Sequence, residues 1–333
     1  MAISSSELKA YKSKVVTDTS SNGGRMSSQV ITSDVKGNIF PDASQAERTA
    51  GSTKYRKVFM KVDNALGDVC SNARVFLESN TQGGDSVTMF PASFTDTQSS
   101  LTGSERQYGC GRLSVAATAG GSTIQVQTEG VALNYLRNGD TIRISDKATI
   151  DSGSGNEEFN TINGVPSYSG DVATITLATP LLNSYATPAN AKVSSVIAAA
   201  SVAPVISSVV VTSGAGTFNH AGVPIVGDNM GSVTENVTLT FSSATAFTVT
   251  GDTLGALGAG TISADFAPTN PDFSRPYFTI DKDAFGGTFA NGDTITFRID
   301  PAAVPLWLKR IIPASTAAQA GNKFTIGIDC EST

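Results

Sequence analysis

The chain has one histidine, one tryptophan and three cysteines in 333 residues, and 16% of it is charged, against about 25% in ordinary globular domains. The single imidazole, His220 in Gly216-Thr217-Phe218-Asn219-His220-Ala221-Gly222, cannot furnish a multi-histidine metal centre and reads as a loop residue without a catalytic role. There is no G-x-S-x-G elbow, H-E-x-x-H pair, Walker loop or dinucleotide fingerprint, which removes the usual hydrolase and nucleotide-binding signatures. No segment reaches the roughly 18–20 consecutive apolar residues that a bilayer core requires. A net charge of −6 opposes nucleic-acid binding by field alone. The cysteines, Cys70, Cys110 and Cys330, are far apart and form no C-x-x-C pair. They read as reduced, mostly buried thiols, with a Cys70–Cys330 or Cys70–Cys110 bridge left open. The first residues, Met1-Ala2-Ile3-Ser4-Ser5-Ser6-Glu7, have neither the basic nor the apolar stretch of a secretory signal, so synthesis in a reducing cytoplasm is expected.

What the chain does have is glycine (32 residues), serine and threonine, arranged as short alternating runs between turn signals. Tyr55-Arg56-Lys57-Val58-Phe59-Met60-Lys61-Val62, Asn72-Ala73-Arg74-Val75-Phe76-Leu77-Glu78 and Asp85-Ser86-Val87-Thr88-Met89-Phe90 read as three successive strands. Further strands follow at 123–127, 141–144, 171–177, 205–211, 236–241, 246–250 and 294–300. Asn138-Gly139-Asp140-Thr141-Ile142 recurs as Asn291-Gly292-Asp293-Thr294-Ile295, each copy opening a strand. We read this as shared turn chemistry, in which Asn-Gly supplies positive φ, and not as a duplication. The fold class expected is all-β: tandem antiparallel sandwiches, immunoglobulin-like, with an extended N-terminal arm. The expected domains are the arm at 1–54, a first unit at 55–112 completed by 285–333, a second inserted at 113–200, and a third at 201–284, with a hinge at 198–204. Within 1–54, Asp42 is expected to cap a single helical turn.

Chemistry is hard to find in these residues. Asp140, Asp146, Asp151, Glu157 and Glu158 gather around a glycine-rich loop, but glycines occupy two positions where an EF-hand needs oxygen ligands. Lys54-Tyr55-Arg56-Lys57 and Lys309-Arg310 are basic, and read as ion-paired or solvent-facing strand positions. No cofactor or metal is expected.

Two blocks carry a resemblance. Asn38-Ile39-Phe40-Pro41-Asp42…Ala46-Glu47-Arg48…Gly51…Lys54-Tyr55-Arg56-Lys57-Val58-Phe59 and Pro301-Ala302-Ala303-Val304-Pro305-Leu306-Trp307-Leu308-Lys309-Arg310-Ile311-Ile312-Pro313-Ala314 resemble segments of tailed-bacteriophage virion structural proteins. The resemblance implies a non-enzymatic virion component, most of all in the tail or baseplate, whose partners are copies of itself and other virion proteins. It implies no membrane and no specific nucleic-acid binding. Capsid decoration or surface adhesion is the alternative, and a carbohydrate-active or lytic enzyme a distant third. Apolar residues in 1–54 are too few and scattered to order that segment alone. It is therefore expected to lie across a neighbouring subunit or another virion protein, anchored by Ile39, Phe40 and Tyr55, with Trp307 a further interface residue. Deleting residues 2–40 would then leave the β domains intact.

Overall fold

The computed structural model describes residues 3–129 and 134–332; residues 1–2 of the expected arm and residue 333 of the closing segment lie outside it. The all-β expectation holds, with 47% strand and 5% helix.

The chain opens with β1 (Leu8–Val15) and β2 (Gly23–Val30), an antiparallel hairpin, followed by α1 (Gln45–Ala50) and β3 (Ser52–Val62). Ser44, not Asp42, caps α1: its hydroxyl accepts the Glu47 N–H while the Glu47 carboxylate accepts the Ser44 N–H. Next come β4 (Cys70–Ser79) and β5 (Ser86–Pro91). The second stretch supplies β6 (Cys110–Leu113), β7 (Thr123–Thr128), β8 (Thr141–Ser145), β9 (Glu157–Thr161), β10 (Ser167–Ser169), β11 (Val172–Thr176) and β12 (Lys192–Ala198). The third contains β13 (Val205–Thr212), β14 (Gly216–Phe218), β15 (Val226–Gly227), β16 (Glu235–Phe241), β17 (Ala246–Gly251), β18 (Gly255–Thr261), β19 (Thr269–Asn270), β20 (Arg275–Pro276), β21 (Phe278–Thr279), β22 (Phe285–Gly287) and β23 (Thr294–Asp300). The chain then returns as β24 (Ala303–Ile312) and β25 (Thr325–Ser332).

Three large sheets result. The first has the order β2-β1-β3-β24-β5, so a strand from the last tenth of the sequence sits inside it, next to the central β3. β24 pairs with β3 over ten residues, from Ala303↔Lys61 to Ile312↔Ser52, and with β5 over six. The second sheet runs β10-β11-β7-β6-β12-β4-β25. Its continuity depends on β12, whose first half lies between β6 and β8 and whose second half pairs with β4. The second stretch is therefore joined to the first by a shared sheet. One apolar core draws on both sheets: Val58, Met60, Leu306 and Leu308 from one, Ala73, Val75, Leu77 and Val196 from the other. Cys70 and Cys330 are joined as a disulfide across β4 and β25, which corrects the reduced-thiol expectation for that pair; Cys110 is free and buried.

The third sheet, β13-β23-β16-β17-β18, has its own core. Its boundary differs from expectation, because β23 at 294–300 belongs here and not with the closing strands. Eight of the sixteen phenylalanines lie in or against this core, and Phe241 and Phe289 stack face to face at 3.8 Å.

The repeated Asn-Gly-Asp segments make the same turn. Gly139 and Gly292 have positive φ; Asp140 and Asp293 each accept the N–H three residues back, from Arg137 at 2.7 Å and Ala290 at 2.9 Å. Each turn then exchanges backbone hydrogen bonds with a neighbouring strand end, at Ile162 and Phe241 respectively.

The extended arm is a correction. β1 pairs with β3 from Leu8↔Val62 to Lys12↔Val58, and Tyr11 and Met26 are buried. The burial that the segment cannot supply alone comes from its own chain. Gly23 matters here: it has φ +105°, and a Cβ at this position would fall 2.6 Å from Cη2 of Trp307. Gly23→Ala is expected to lose about 1–3 kcal/mol in urea unfolding, more than Gly24→Ala, where φ is positive but the space is open. Deleting residues 2–40 is expected to lower the melting temperature, because it uncovers β3; unchanged melting would restore the arm.

Candidate interaction surfaces

The four expected anchors are engaged within the chain. Trp307 is fully buried and donates its indole N–H to Asp96 Oδ2 at 2.8 Å. Phe40 is buried in the main core, 6.0 Å from the Phe324 ring, with the Arg56 guanidinium 5.7 Å away. Ile39 is half-buried against the same core. Tyr55 is half-buried with its ring edge-on to Phe90, and burial, aided by Glu105, raises its phenol pKa. No fully buried side chain touches a partner, so the interface role expected for Trp307 is corrected to an internal one.

The reason lies in β3. Alternation there predicts one wet face, yet every residue from Arg56 to Val62 is buried. Val58, Met60 and Val62 face the main core, while Phe59 belongs to a second, smaller cluster with Tyr11, Met26 and Ala303. Lys57 and Lys61, at the same strand parity as Phe59, are buried with it. Lys57 Nζ contacts Asp96 Oδ1 at 2.6 Å and donates to the Gly24 carbonyl at 2.7 Å. Lys61 Nζ contacts Asp63 Oδ1 at 2.6 Å, donates to the Met230 carbonyl at 2.9 Å, and lies 4.6 Å from the Phe273 ring. Burial pushes both ammonium pKa values down, and the facing aspartates restore part of the shift. Burial alone would raise Asp63, but Lys61 and Lys9 hold it below the usual carboxylate range.

These nodes also fasten the third stretch to the first. Arg25 on β2 donates to the Thr234 carbonyl, Glu235 and Asp252, and Asn229 donates to the Asp68 carbonyl. Sequence reasoning missed Lys61, Arg25 and Asp96, because the Met230 carbonyl, Glu235 and Trp307 that respectively meet them are remote in sequence.

The carboxylates singled out in the second stretch serve the fold as well. Glu157 pairs with Arg143 and Lys147. Glu158 accepts from Leu182 N, Asn183 N and the Tyr185 hydroxyl; Asp140 pairs with Arg106, and Asp146 accepts from Asn156 N. Asp151 is exposed, as is His220, beside Phe218. Of the basic residues, Lys54 pairs with Glu47 and Asp18, Arg56 with Asp18 and Arg310 with Asp85, while the Lys309 ammonium lies 6.0 Å from the Tyr55 ring. A groove of about 640 Å³ between β4, β6 and β12 mixes Asp85, Arg112, Glu129 and Lys192, and Arg112 and Glu129 pair at 2.9 Å.

One outward face is different in kind. On the third sheet, Thr212, Thr294, Thr240 and Thr248 form one cross-strand row, and Val210, Thr296, Thr238 and Thr250 the next. All eight point away from the phenylalanine core, and none is charged. Rows are about 6.7 Å apart and strands about 4.8 Å. β-branched threonine loses little rotamer freedom on contact, so these two uncharged rows, bordered by Arg298 in the next row, are suited to packing. Its sequence signal was Thr-x-Thr three times over, at 238–240, 248–250 and 294–296.

No family profile, curated protein or solved structure matches this chain.

Breaking the Lys61–Asp63 pair from the two sides is expected to differ in cost. Asp63→Asn leaves the buried Lys61 ammonium poorly paired and should cost about 3–5 kcal/mol, whereas Lys61→Met leaves Asp63 still paired with Lys9 and should cost less; equal costs in urea titrations would refute the asymmetry. The stability that Asp63 contributes is complete above its ordinary pKa of 3.8 and is lost as pH falls through its lower folded value.

Proposed function

We infer that this chain is a non-enzymatic structural component of a bacteriophage virion, most of all of the tail, that assembles into a symmetric oligomer. The observation that carries this reading is the uncharged threonine face on an otherwise acidic, strand-built molecule. Copies that each carry −6 repel one another, and a neutral, stiff face lets them pack where charged surfaces would not. The two sequence blocks resembling virion proteins point the same way. So does the use of ionisable side chains: Lys57, Lys61, Glu157, Glu158 and Asp140 each hold the fold together.

We also read the third stretch as an immunoglobulin-like unit. The support is a five-stranded antiparallel sheet over a phenylalanine core, with short ladders β14–β22, β15–β21 and β19–β20 beside it. The N-terminal hairpin has no place in this reading as a cross-subunit arm.

Mass spectrometry of purified particles is expected to find the protein in the virion, and its absence would sink the reading. In solution, Thr240→Arg with Thr248→Arg should convert oligomer to monomer in light scattering while leaving circular dichroism unchanged. An oligomer indifferent to both arginines would place the contact elsewhere.

A further inference from the structure

We propose that Cys70 and Cys330 are a redox latch on β25, and that without the bond this strand exchanges between copies of the chain.

Apart from the disulfide, β25 is held from one side of the sheet only. It lies at the edge of the second sheet, paired on one side only, with β4. Its register with β4 shifts twice, between Thr325 and Ile326 and between Asp329 and Glu331, so its ladder is broken near both ends. Ile326, Ile328 and Cys330 are only partly buried against the main core. Strand ends with little buried apolar surface open at low free energy. The covalent bond closes a loop 260 residues long, and this tie keeps a frayed strand in place.

The occupant that fits a vacated β4 edge is the same strand from a second copy. Gly327 lies where a Cβ would fall 2.6 Å from the Phe76 ring, so the seat admits a glycine opposite Phe76 and excludes most other sequences. Asp329 lies 3.6 Å from Arg74, and Asn72 donates to Glu331 at 2.9 Å. An identical strand restores each of these contacts, which makes the exchange nearly isoenergetic apart from the connection. That connection, residues 313–324, is mostly exposed and spans at most about 40 Å when extended.

Latching is a thiol–disulfide exchange. The Cys330 thiolate, half-buried where Cys70 is fully buried, attacks a disulfide oxidant such as oxidised glutathione and releases one glutathione. The Cys70 thiolate then attacks the mixed disulfide at the Cys330 sulfur and releases the second. Two S–H bonds and the oxidant's S–S bond are lost; one S–S bond and two glutathione thiols are gained. Oxidation traps whichever copy of β25 is seated at that moment.

The test uses the full chain and does not depend on the virion reading. Isotope-labelled Cys70→Ser protein, which keeps Cys330, is mixed under reducing conditions with unlabelled Cys330→Ser protein, which keeps Cys70, and the mixture is oxidised with glutathione disulfide. A covalent dimer whose cross-linked peptide joins labelled Cys330 to unlabelled Cys70 is expected. Its absence from a mixture of folded variants overturns the exchange. Should either variant fail to fold, hydrogen exchange on the unmodified chain decides: reduction is expected to speed exchange of the 325–332 amides by about ten-fold or more while leaving those of 58–62 unchanged. Equal protection of 325–332 in both redox states overturns the latch.

Discussion

The ten-pair ladder between β3 and β24 is the constraint from which the rest of the architecture follows. It places Ser52–Val62 and Ala303–Ile312 side by side at the middle of one sheet, so all that lies between them in sequence must leave that sheet and return. The second and third stretches are the two excursions. β12 ties the first into a sheet that faces β3 and β24 across the main core. The second excursion builds its own phenylalanine core and comes back through β23 directly into β24.

A strand at such a position has no free face. On β3 the consequence is chemical as well as steric, because two of its inward positions are lysines. An ammonium removed from water is tolerated only when paired and hydrogen-bonded, and Asp96, Asp63 and the carbonyls of Gly24 and Met230 meet that requirement. These partners come from the hairpin, from the loop after β5 and from the third stretch. Satisfying Lys57 and Lys61 therefore positions three separate parts of the molecule, and orients them more strictly than apolar contact would.

Much of this was legible in the sequence. Thr123–Gln127, Thr141–Ile144, Asn236–Phe241 and Ala246–Thr250 alternate with period two and are strands, and the two Asn-Gly-Asp segments are the turns they announce. What escaped reading was non-local. Nothing near Tyr11 or Met26 indicates that β3 and its surroundings will bury them, so 1–54 looked like an arm. Lys57 read as ion-paired or solvent-facing, and is ion-paired but buried; Lys61 drew no reading, because the Met230 carbonyl that meets it lies 169 residues away. Trp307 was read as an anchor for a partner, while its seat is Gly23 and its acceptor Asp96, both remote in sequence. The Cys70–Cys330 pairing hides behind the same distance.

The β3–β24 ladder also sets a timetable for the newborn chain. About 240 residues separate Val62 from Ala303, and at a ribosomal rate of about 5–20 residues per second β3 waits roughly 10–50 s for the strand that covers its side. During that interval β3 has only β1 of the hairpin paired alongside it in the sheet. The hairpin, made first and paired to β3 at once, guards one edge of an aggregation-prone strand through translation, and the other edge stays open until the chain is nearly complete.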